Sequence, residues 1–415
     1  MEETKLTKHE VEDALVNLKQ VTFEVTDACN LRCKYCGYGD LYFGYDRRED
    51  KYLSFNKVKT LIDWLVDFWK SHKTASRIAK TYIGFYGGEP LMNMDLIKEI
   101  VEYVESLKIN RNFIFSMTTN AVLLNRYMDY IAAKKFNTLI SLDGNSEGHS
   151  YRVNHSGRNS FDIVYRNVKL LQQRYPEYFA EHVNFNAVLH NRNSVEATYT
   201  FIKNEFGKMP TMSELNNSGI RSDKIEEFNR TYRNKSESLQ SSENYEKLSE
   251  DIFTGEPQTE NLLLFLHQYS GNTFNTYRDL FIDTTTLKYR PTGTCTPFGK
   301  KLFLTVNGKI IQCERIDHNF FTGSVENGKV NLDFDYIVNR FNAYLDKLSK
   351  QCKVCYRKKS CIQCMYYIPE IDSDRPVCHG FMNKKHFENY KSYCLSHLAK
   401  KPYLYKKLMT EILVE

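Results

Sequence analysis

Long apolar segments are absent from this 415-residue chain. No run reaches the roughly 18 residues that a membrane-spanning helix needs, so we expect no membrane partner. The first twenty residues are charged and helical in pattern, unlike a secretory signal, which predicts a cytoplasmic protein. Basic residues are interspersed with acidic ones in no concentrated block, so nucleic acid is not an expected partner.

Cysteine is missing from residues 37–294, although the chain contains eleven cysteines. Three lie between residues 29 and 36, and eight lie between 295 and 394. In a reducing compartment, clustered cysteines indicate metal ligands or catalytic groups rather than disulfides. The sequence therefore predicts two metal-binding regions.

Short β-branched runs alternate with amphipathic helical patterns over the first half of the chain, which predicts an α/β fold with a parallel sheet. The predicted strands lie at 21–26, 81–88, 112–120, 136–144 and 183–190, with a weaker sixth near 208–215. Six such units form a partial, open (β/α)6 barrel. The predicted organisation is an N-terminal helical segment (1–20), the barrel (21–216), a helical linker or substrate-cleft region (217–290), a cysteine-rich domain (291–395) and a C-terminal helix (396–415).

The first cysteine cluster, Cys29, Cys33 and Cys36, directly follows the first predicted strand. Three thiolates at C-x3-C-x2-C spacing can hold three irons of a [4Fe–4S] cluster and leave the fourth open to a substrate or cofactor. Zinc is the alternative, but it prefers four ligands, and no further Cys or His lies near Cys36.

This loop, with Tyr35 before its third cysteine, resembles the radical S-adenosylmethionine (SAM) superfamily. "GGEP" after the second strand and "SLDG" after the fourth strengthen the resemblance. It implies a [4Fe–4S] cluster that binds SAM and generates a 5′-deoxyadenosyl radical. The implied SAM contacts are Tyr35 to adenine, Gly87, Gly88, Glu89 and Pro90 to the amino group, Ser141 and Asp143 to the ribose and carboxylate, and Arg152 to the carboxylate. For Arg152 a surface ion pair is the alternative.

The later cysteines resemble the seven-cysteine pattern of SPASM domains, which carry auxiliary iron–sulfur clusters. The resemblance implies one cluster on Cys352, Cys355, Cys361 and Cys378, and a second on Cys295, Cys313 and Cys364. Lys301 stands where some relatives supply a fourth ligand to the second cluster. The second cluster is then open at one iron, or its fourth ligand is Cys394 or a substrate group, and the alternative for Cys394 is a buried free thiol. Zinc remains the alternative for this region, although five residues between the two C-x2-C pairs is short for a zinc ribbon.

The resemblance implies an oxidoreductase that acts on a peptide or protein. The continuation "CGYGDLYFGYD" is most similar to maturases of ribosomally made peptides with double-glycine leaders. The alternative is an anaerobic sulfatase-maturing enzyme that makes formylglycine, with Glu314 after Cys313 as the catalytic base. An alternative of another class is a non-catalytic iron–sulfur or zinc binding partner.

The expected partners are a precursor peptide or protein and a reductant such as flavodoxin or ferredoxin. Only 28 residues precede Cys29, fewer than a leader-binding domain needs. We therefore expect leader recognition by the N-terminal helix, by the 217–290 region or by a separate partner protein.

Overall fold

A computed structural model describes residues 5–74, 79–269, 290–358 and 361–411. The chain forms two compact units. Unit 1 comprises residues 1–7, 246–295 and 338–415, and unit 2 comprises residues 8–245 and 296–337. No helix in the described part of the chain is long and apolar enough to cross a membrane.

The predicted α/β architecture is confirmed, because six parallel strands pair in chain order in unit 2. The sheet does not close: β6 and β10 are its two ends. The six strands are β1 (Gln20–Thr26), β2 (Ala79–Gly87), β3 (Arg111–Thr119), β4 (Asn137–Ser141), β5 (Val183–Val188) and β6 (Thr211–Ser213). The weakly predicted sixth strand is thus present, and it is three residues long.

Helices follow the strands where apolar residues recur every three or four positions. In the second helix these residues are Val58, Leu61, Ile62 and Leu65, all buried. The helices are α1 (Lys8–Val16), α2 (Phe55–Ser71), α3 (Met94–Ser106), α4 (Leu124–Ala133), α5 (Phe161–Arg174), α6 (Pro176–His182), α7 (Val195–Phe206), α8 (Ile225–Thr231), α9 (Lys235–Gln240), α10 (Tyr245–Asp251), α11 (Pro257–Tyr269), α12 (Phe334–Val354), α13 (Lys384–Lys400) and α14 (Tyr403–Glu411).

Four further strands extend the sheet beyond β1. They are β7 (Leu302–Leu304), β8 (Lys309–Ile311), β9 (Gly323–Glu326) and β10 (Lys329–Leu332). The predicted hairpin with an Asn-Gly turn is β7–β8, and Gly308 in that turn has a φ of +90°. Because β7 pairs in parallel with β1, residues 296–337 share a compact unit with the barrel strands, although the sequence groups them with the later cysteines.

The two faces of the parallel sheet differ in polarity because side chains alternate along each strand. On the outer face, Phe85 and Phe115 stack with Phe136, which also contacts Tyr130 of α4. The inner face is polar. According to the strand register across β1 to β5, the residues on the inner face include Thr22, Gly84, Ser116, Asn137 and Asn184. The residues two positions before and after each of them lie on the same face.

Candidate functional site

The three-cysteine loop begins three residues after β1 and is fixed by the segment that follows β4. The amide of Arg32 donates to the Val153 carbonyl at 2.7 Å, and the amide of Lys34 donates to the Tyr151 carbonyl at 3.1 Å. The Tyr35 side chain is buried in an apolar cluster with Tyr151 and Leu41. The conformation of the loop is therefore set by the packing of the barrel.

The structure brings the thiols of Cys29, Cys33 and Cys36 close together. Burial raises the pKa of Cys33 to about 12, and negative charge on Cys36 and Cys29 contributes to that rise, so the three sulfurs lie within electrostatic range of one another. Among the described residues, no three Cys, His, Asp or Glu side chains are arranged to hold a single metal ion. Cysteine thiolates are the usual ligands of a [4Fe–4S] cluster, so the residues present in this loop fit that group.

The two glycines of "GGEP" let the end of β2 lie directly against residues 26–28, which lead into the cysteine loop. The Gly88 amide donates to the Thr26 carbonyl at 2.9 Å, and the Glu89 amide donates to the Ala28 carbonyl at 2.9 Å. A Cβ on Gly87 would overlap the Thr26 carbonyl oxygen, and one on Gly88 would overlap that of Ala28. This close approach requires glycine, independently of any contact with SAM.

Glu89 is buried and its carboxylate is occupied by protein donors. It accepts hydrogen bonds from Thr119 Oγ1 at 2.6 Å, the Asn120 amide at 2.7 Å and the Leu91 amide at 3.2 Å. Burial raises its pKa to about 7, against the opposing effect of these bonds. The side-chain amide of Asn120 in turn donates to Cys29 Sγ at 3.9 Å. Glu89 therefore ties β2 to β3 beside the first cysteine, and its predicted contact with SAM remains a prediction.

Pro90, the last residue of the motif, is the first residue of the 3₁₀ turn Pro90–Asn93, where proline is favoured because its fixed φ suits a helical start. Its side chain is buried. The structure thus gives Pro90 a local structural role at the end of β2.

Asp143 and Arg152 form a buried ion pair behind the cysteine loop. Arg152 donates through Nε and Nη2 to the two Asp143 carboxylate oxygens at 2.9 and 3.0 Å. Tyr35 also donates its hydroxyl to Asp143, and the Val188 amide donates at 2.9 Å. Burial by itself would raise the pKa of Asp143, but the charge of Arg152 holds it below its ordinary value.

This network bears on four of the predicted SAM contacts. The side chain of Arg152 is only 9% exposed, so its ion pair with Asp143 is buried. The alternative of a surface ion pair for Arg152 is therefore wrong. Tyr35 and Asp143 contact each other in this structure, and Ser141 is buried at the end of β4, paired with Asn186. Their contacts with SAM stay predictions.

Glu314 lines a cavity of about 280 Å³ against the inner face of the sheet. Polar side chains of Gln20, Thr22 and Ser116 also line it. The Thr22 hydroxyl is buried and has no hydrogen-bond partner in the described structure. This polar lining was missed by the sequence analysis, although alternate polar residues within the strand patterns were its signal.

Lys301 pairs with Glu314 in the wall of this cavity, with Nζ 2.8 Å from the carboxylate. Burial by itself would raise the pKa of Glu314, but Lys301 lowers it below its ordinary value. Burial raises the pKa of Tyr86, which also lines the cavity, and negative charge on Glu314 and Cys36 adds to the effect. The cavity thus lies next to the cysteine loop, with an ionised carboxylate in its wall.

In unit 1 the later cysteines fall into two groups. Burial raises the pKa of Cys378, and negative charge on Cys361 and Cys355 adds to the effect. Cys352 is one turn from Cys355, whose amide donates to the Cys352 carbonyl at 3.2 Å. These four are the cysteines that the resemblance assigned to the first auxiliary cluster, and that assignment remains a prediction.

The second predicted set is divided between the units. Cys295 and Cys364 lie close together in unit 1, since a negative charge on Cys295 would raise the pKa of Cys364 beyond the effect of burial. Cys313 lies in unit 2, where the Arg315 amide donates to its sulfur at 3.4 Å. Cys394 is fully buried against Leu262 and Leu404, which favours the buried-thiol alternative.

The predicted cleft region is described only in part, because residues 270–289 lie outside the described residues. Its described apolar side chains include Phe265 and Leu266 of α11, which pack with Cys394 and Leu408 in the core of unit 1. In this portion, the region predicted as a helical linker or substrate cleft therefore packs into the core of unit 1.

Comparison with known protein families identifies a match over the barrel region. Residues 23–202 match the model of the Radical SAM superfamily. The chain is 28% identical over 182 residues to a cysteine-type anaerobic sulfatase-maturating enzyme of Clostridium novyi, covering 43% of this chain and 46% of that protein. It is 25% identical over 184 residues to the radical SAM cyclopropyl synthase TigE of Paramaledivibacter caminithermalis, covering 41% and 35%.

The fold likeness extends further along the chain than these alignments. The solved structure of native anSMEcpe with bound AdoMet and Kp18Cys peptide matches with a TM-score of 0.60 at 16% identity, over 94% of this chain and 98% of that one. The sequence alignments, by contrast, span less than half of the curated relatives' length. This chain therefore contains a radical SAM domain and is homologous to anaerobic sulfatase-maturating and cyclopropyl-forming radical SAM enzymes.

Proposed function

We propose that this chain is a radical SAM enzyme that oxidises a residue of a peptide or protein substrate. The observation that carries the proposal is the position of three neighbouring thiols beside a polar cavity with Glu314 in its wall. Cys29, Cys33 and Cys36 would hold the [4Fe–4S] cluster, with one iron left for SAM. When bound, cluster and SAM supply a primary carbon radical that takes hydrogen from an unactivated C–H bond.

The residues of this chain prepare the substrate for that chemistry. The inner face of the sheet offers hydroxyl and amide groups to a polar substrate, among them the side chains of Gln20 and Ser116. Glu314, kept ionised by Lys301, would accept a proton from the substrate residue as it is oxidised. Tyr86 and the Lys301–Glu314 ion pair form part of the cavity wall.

We favour a maturase of ribosomally made precursor peptides, which installs a cross-link or a similar oxidative change. Homology to a peptide-modifying type of radical SAM enzyme supports this assignment. Sulfatase maturation is the second candidate, favoured by homology to a sulfatase-maturating enzyme and by a carboxylate placed directly after Cys313. In both cases the later cysteines would form a SPASM domain, whose two auxiliary clusters accept the electron released as the substrate is oxidised.

The proposed partners follow from this chemistry. An electron must reach the SAM cluster from a reductant such as flavodoxin or ferredoxin, and a separate leader-binding protein would deliver the precursor peptide.

The first test is anaerobic reconstitution with iron and sulfide, followed by measurement of 5′-deoxyadenosine released from SAM with dithionite. We expect steady release from the wild type and none from Cys33→Ala. The matched control is Cys394→Ala, which removes a buried cysteine outside the loop and should retain release. Iron binding without any SAM cleavage would instead favour the non-catalytic partner.

Mass spectrometry of the peptide product then separates the two substrate classes. A cysteine peptide of the sulfatase type would lose its sulfur on conversion to formylglycine. A precursor peptide that acquires a cross-link loses two hydrogens and keeps every heavy atom. Conversion of the sulfatase peptide alone would overturn the maturase assignment.

A further inference from the structure

The half-buried Arg48 contacts the cysteine loop, although no motif includes it. Its Nη2 lies 3.8 Å from Cys36 Sγ and is oriented to donate a hydrogen bond to that sulfur. The guanidinium also stands over the Tyr38 ring, at 4.5 Å from the centroid. Arg48 therefore packs between an aromatic ring and one of the three clustered thiols.

The charge of Arg48 has no direct carboxylate partner. Within the described residues, no Asp or Glu oxygen lies within 4.0 Å of its guanidinium nitrogens, and its Nε is buried without a hydrogen-bond partner. The buried Glu24 lies farther away, near enough only for its charge to act on the guanidinium. Burying a cation without a paired anion costs free energy unless a negatively charged group lies beside it. Thiolates of the three-cysteine loop would supply that negative charge.

The backbone around Arg48 is fixed against the end of β1. The Asp27 carboxylate accepts hydrogen bonds from the amides of Glu49 and Lys51 at 3.1 and 2.6 Å. The amide of Leu53 donates to the Val25 carbonyl at 3.0 Å. Arg48 thus reaches Cys36 from a rigid segment, as a residue with a positioning or electrostatic role requires.

We propose that Arg48 is a positioning residue that sets the reduction potential of the cluster held by Cys29, Cys33 and Cys36. This inference rests on the proposed function, because it concerns the cluster of that same site. A cation and a hydrogen bond at a ligand sulfur stabilise the more negative, reduced state, and such contacts are known determinants of cluster potential. Arg48 would therefore make the cluster easier to reduce by a physiological electron donor.

The test is an EPR redox titration of the reconstituted full chain, following the signal that changes when SAM is added. Arg48→Gln keeps much of the side-chain length but removes the charge, and Arg48→Lys keeps the charge. The matched control is Arg47→Gln at the exposed neighbouring position. Because the potential does not depend on how many molecules carry the cluster, partial occupancy of a variant does not disturb the comparison.

We expect Arg48→Gln to shift the reduction equilibrium at least tenfold toward the oxidised cluster, about 59 mV for a one-electron couple. Arg48→Lys should retain at least half of the difference in reduction potential between the wild type and Arg48→Gln. Arg47→Gln should have the wild-type potential. An unchanged potential in Arg48→Gln, an equal shift in Arg48→Lys, or complete loss of the cluster in Arg48→Gln would each overturn the inference. Absence of any SAM-sensitive cluster signal in the wild type would instead overturn the proposed function.

Discussion

Glu24 in the first strand gives a sharp prediction about stability and pH. Its side chain is 2% exposed and accepts a hydrogen bond from the Val306 amide at 2.9 Å. Burial raises its pKa from the ordinary 4.5 to about 7. Glu24→Gln retains an oxygen for the Val306 amide but removes the titrating group. The substitution therefore isolates the free energy of ionising this one buried carboxyl.

The direction of the effect follows from proton binding. Between about pH 4.5 and 7 the folded protein holds a proton that the unfolded chain has released, so the free energy of unfolding falls as the pH rises. At about 1.36 kcal/mol per pKa unit, the loss is on the order of 3 kcal/mol. The stabilising contribution is complete below about pH 4.5 and lost above about pH 7. Glu24→Gln should lack this loss.

The assay is urea unfolding of the metal-free, reduced protein at pH 5 and pH 8, with the transition of the barrel followed by circular dichroism. We expect the wild type to lose more stability than Glu24→Gln between pH 5 and pH 8, by about 2.5 kcal/mol. The control is Glu99→Gln, on the exposed face of α3, which should retain the wild-type pH dependence. Parallel pH dependence in the wild type and Glu24→Gln would refute the reasoning.

Three further substitutions test the site. Gly88→Ala places a methyl group on the Ala28 carbonyl oxygen and should abolish iron binding by the loop. The control Gly37→Ala should retain iron, because its Cβ meets only the Tyr45 hydroxyl, at 3.9 Å. Equal iron content in the two variants would contradict the close-approach argument. Asp143→Asn leaves Arg152 buried without its partner and should cost about 3–5 kcal/mol in urea unfolding, while Asp223→Asn at the exposed pair with Arg221 should cost less than about 1 kcal/mol. Glu314→Gln should lower the rate of peptide oxidation roughly 10²–10⁴-fold while SAM is still cleaved; full peptide turnover by this variant would exclude Glu314 as the base.

The sequence was sufficient for the elements whose signals are local. The β-branched runs located β1 to β5, and the helical patterns between them predicted helices there, because each pattern reflects burial on one face of its own segment. The cysteine spacing, with Tyr35, likewise indicated the radical SAM loop that the family comparison bears out.

What the sequence did not reveal depends on contacts between distant segments. The protein groups that donate to Glu89 and Asp143 come from other strands or loops, and the predicted contacts of these two residues with SAM remain predictions. Arg48 reaches Cys36 only because the segment after it is bonded to the end of β1. No spacing rule within one segment encodes such placements, since they arise when separate elements pack together.

The parallel pairing of β7 with β1 has a consequence for folding and for protein engineering. It covers the long edge of the first barrel strand with residues that lie about 280 positions later in the chain. A fragment that ends before residue 296 would expose that edge, and an uncovered strand edge promotes aggregation. Folding of the complete sheet also requires this late segment. It therefore depends on contacts between residues far apart in the sequence, which form slowly. We therefore expect the barrel region alone to be insoluble when expressed, because the first barrel strand depends on its pairing with residues 302–304.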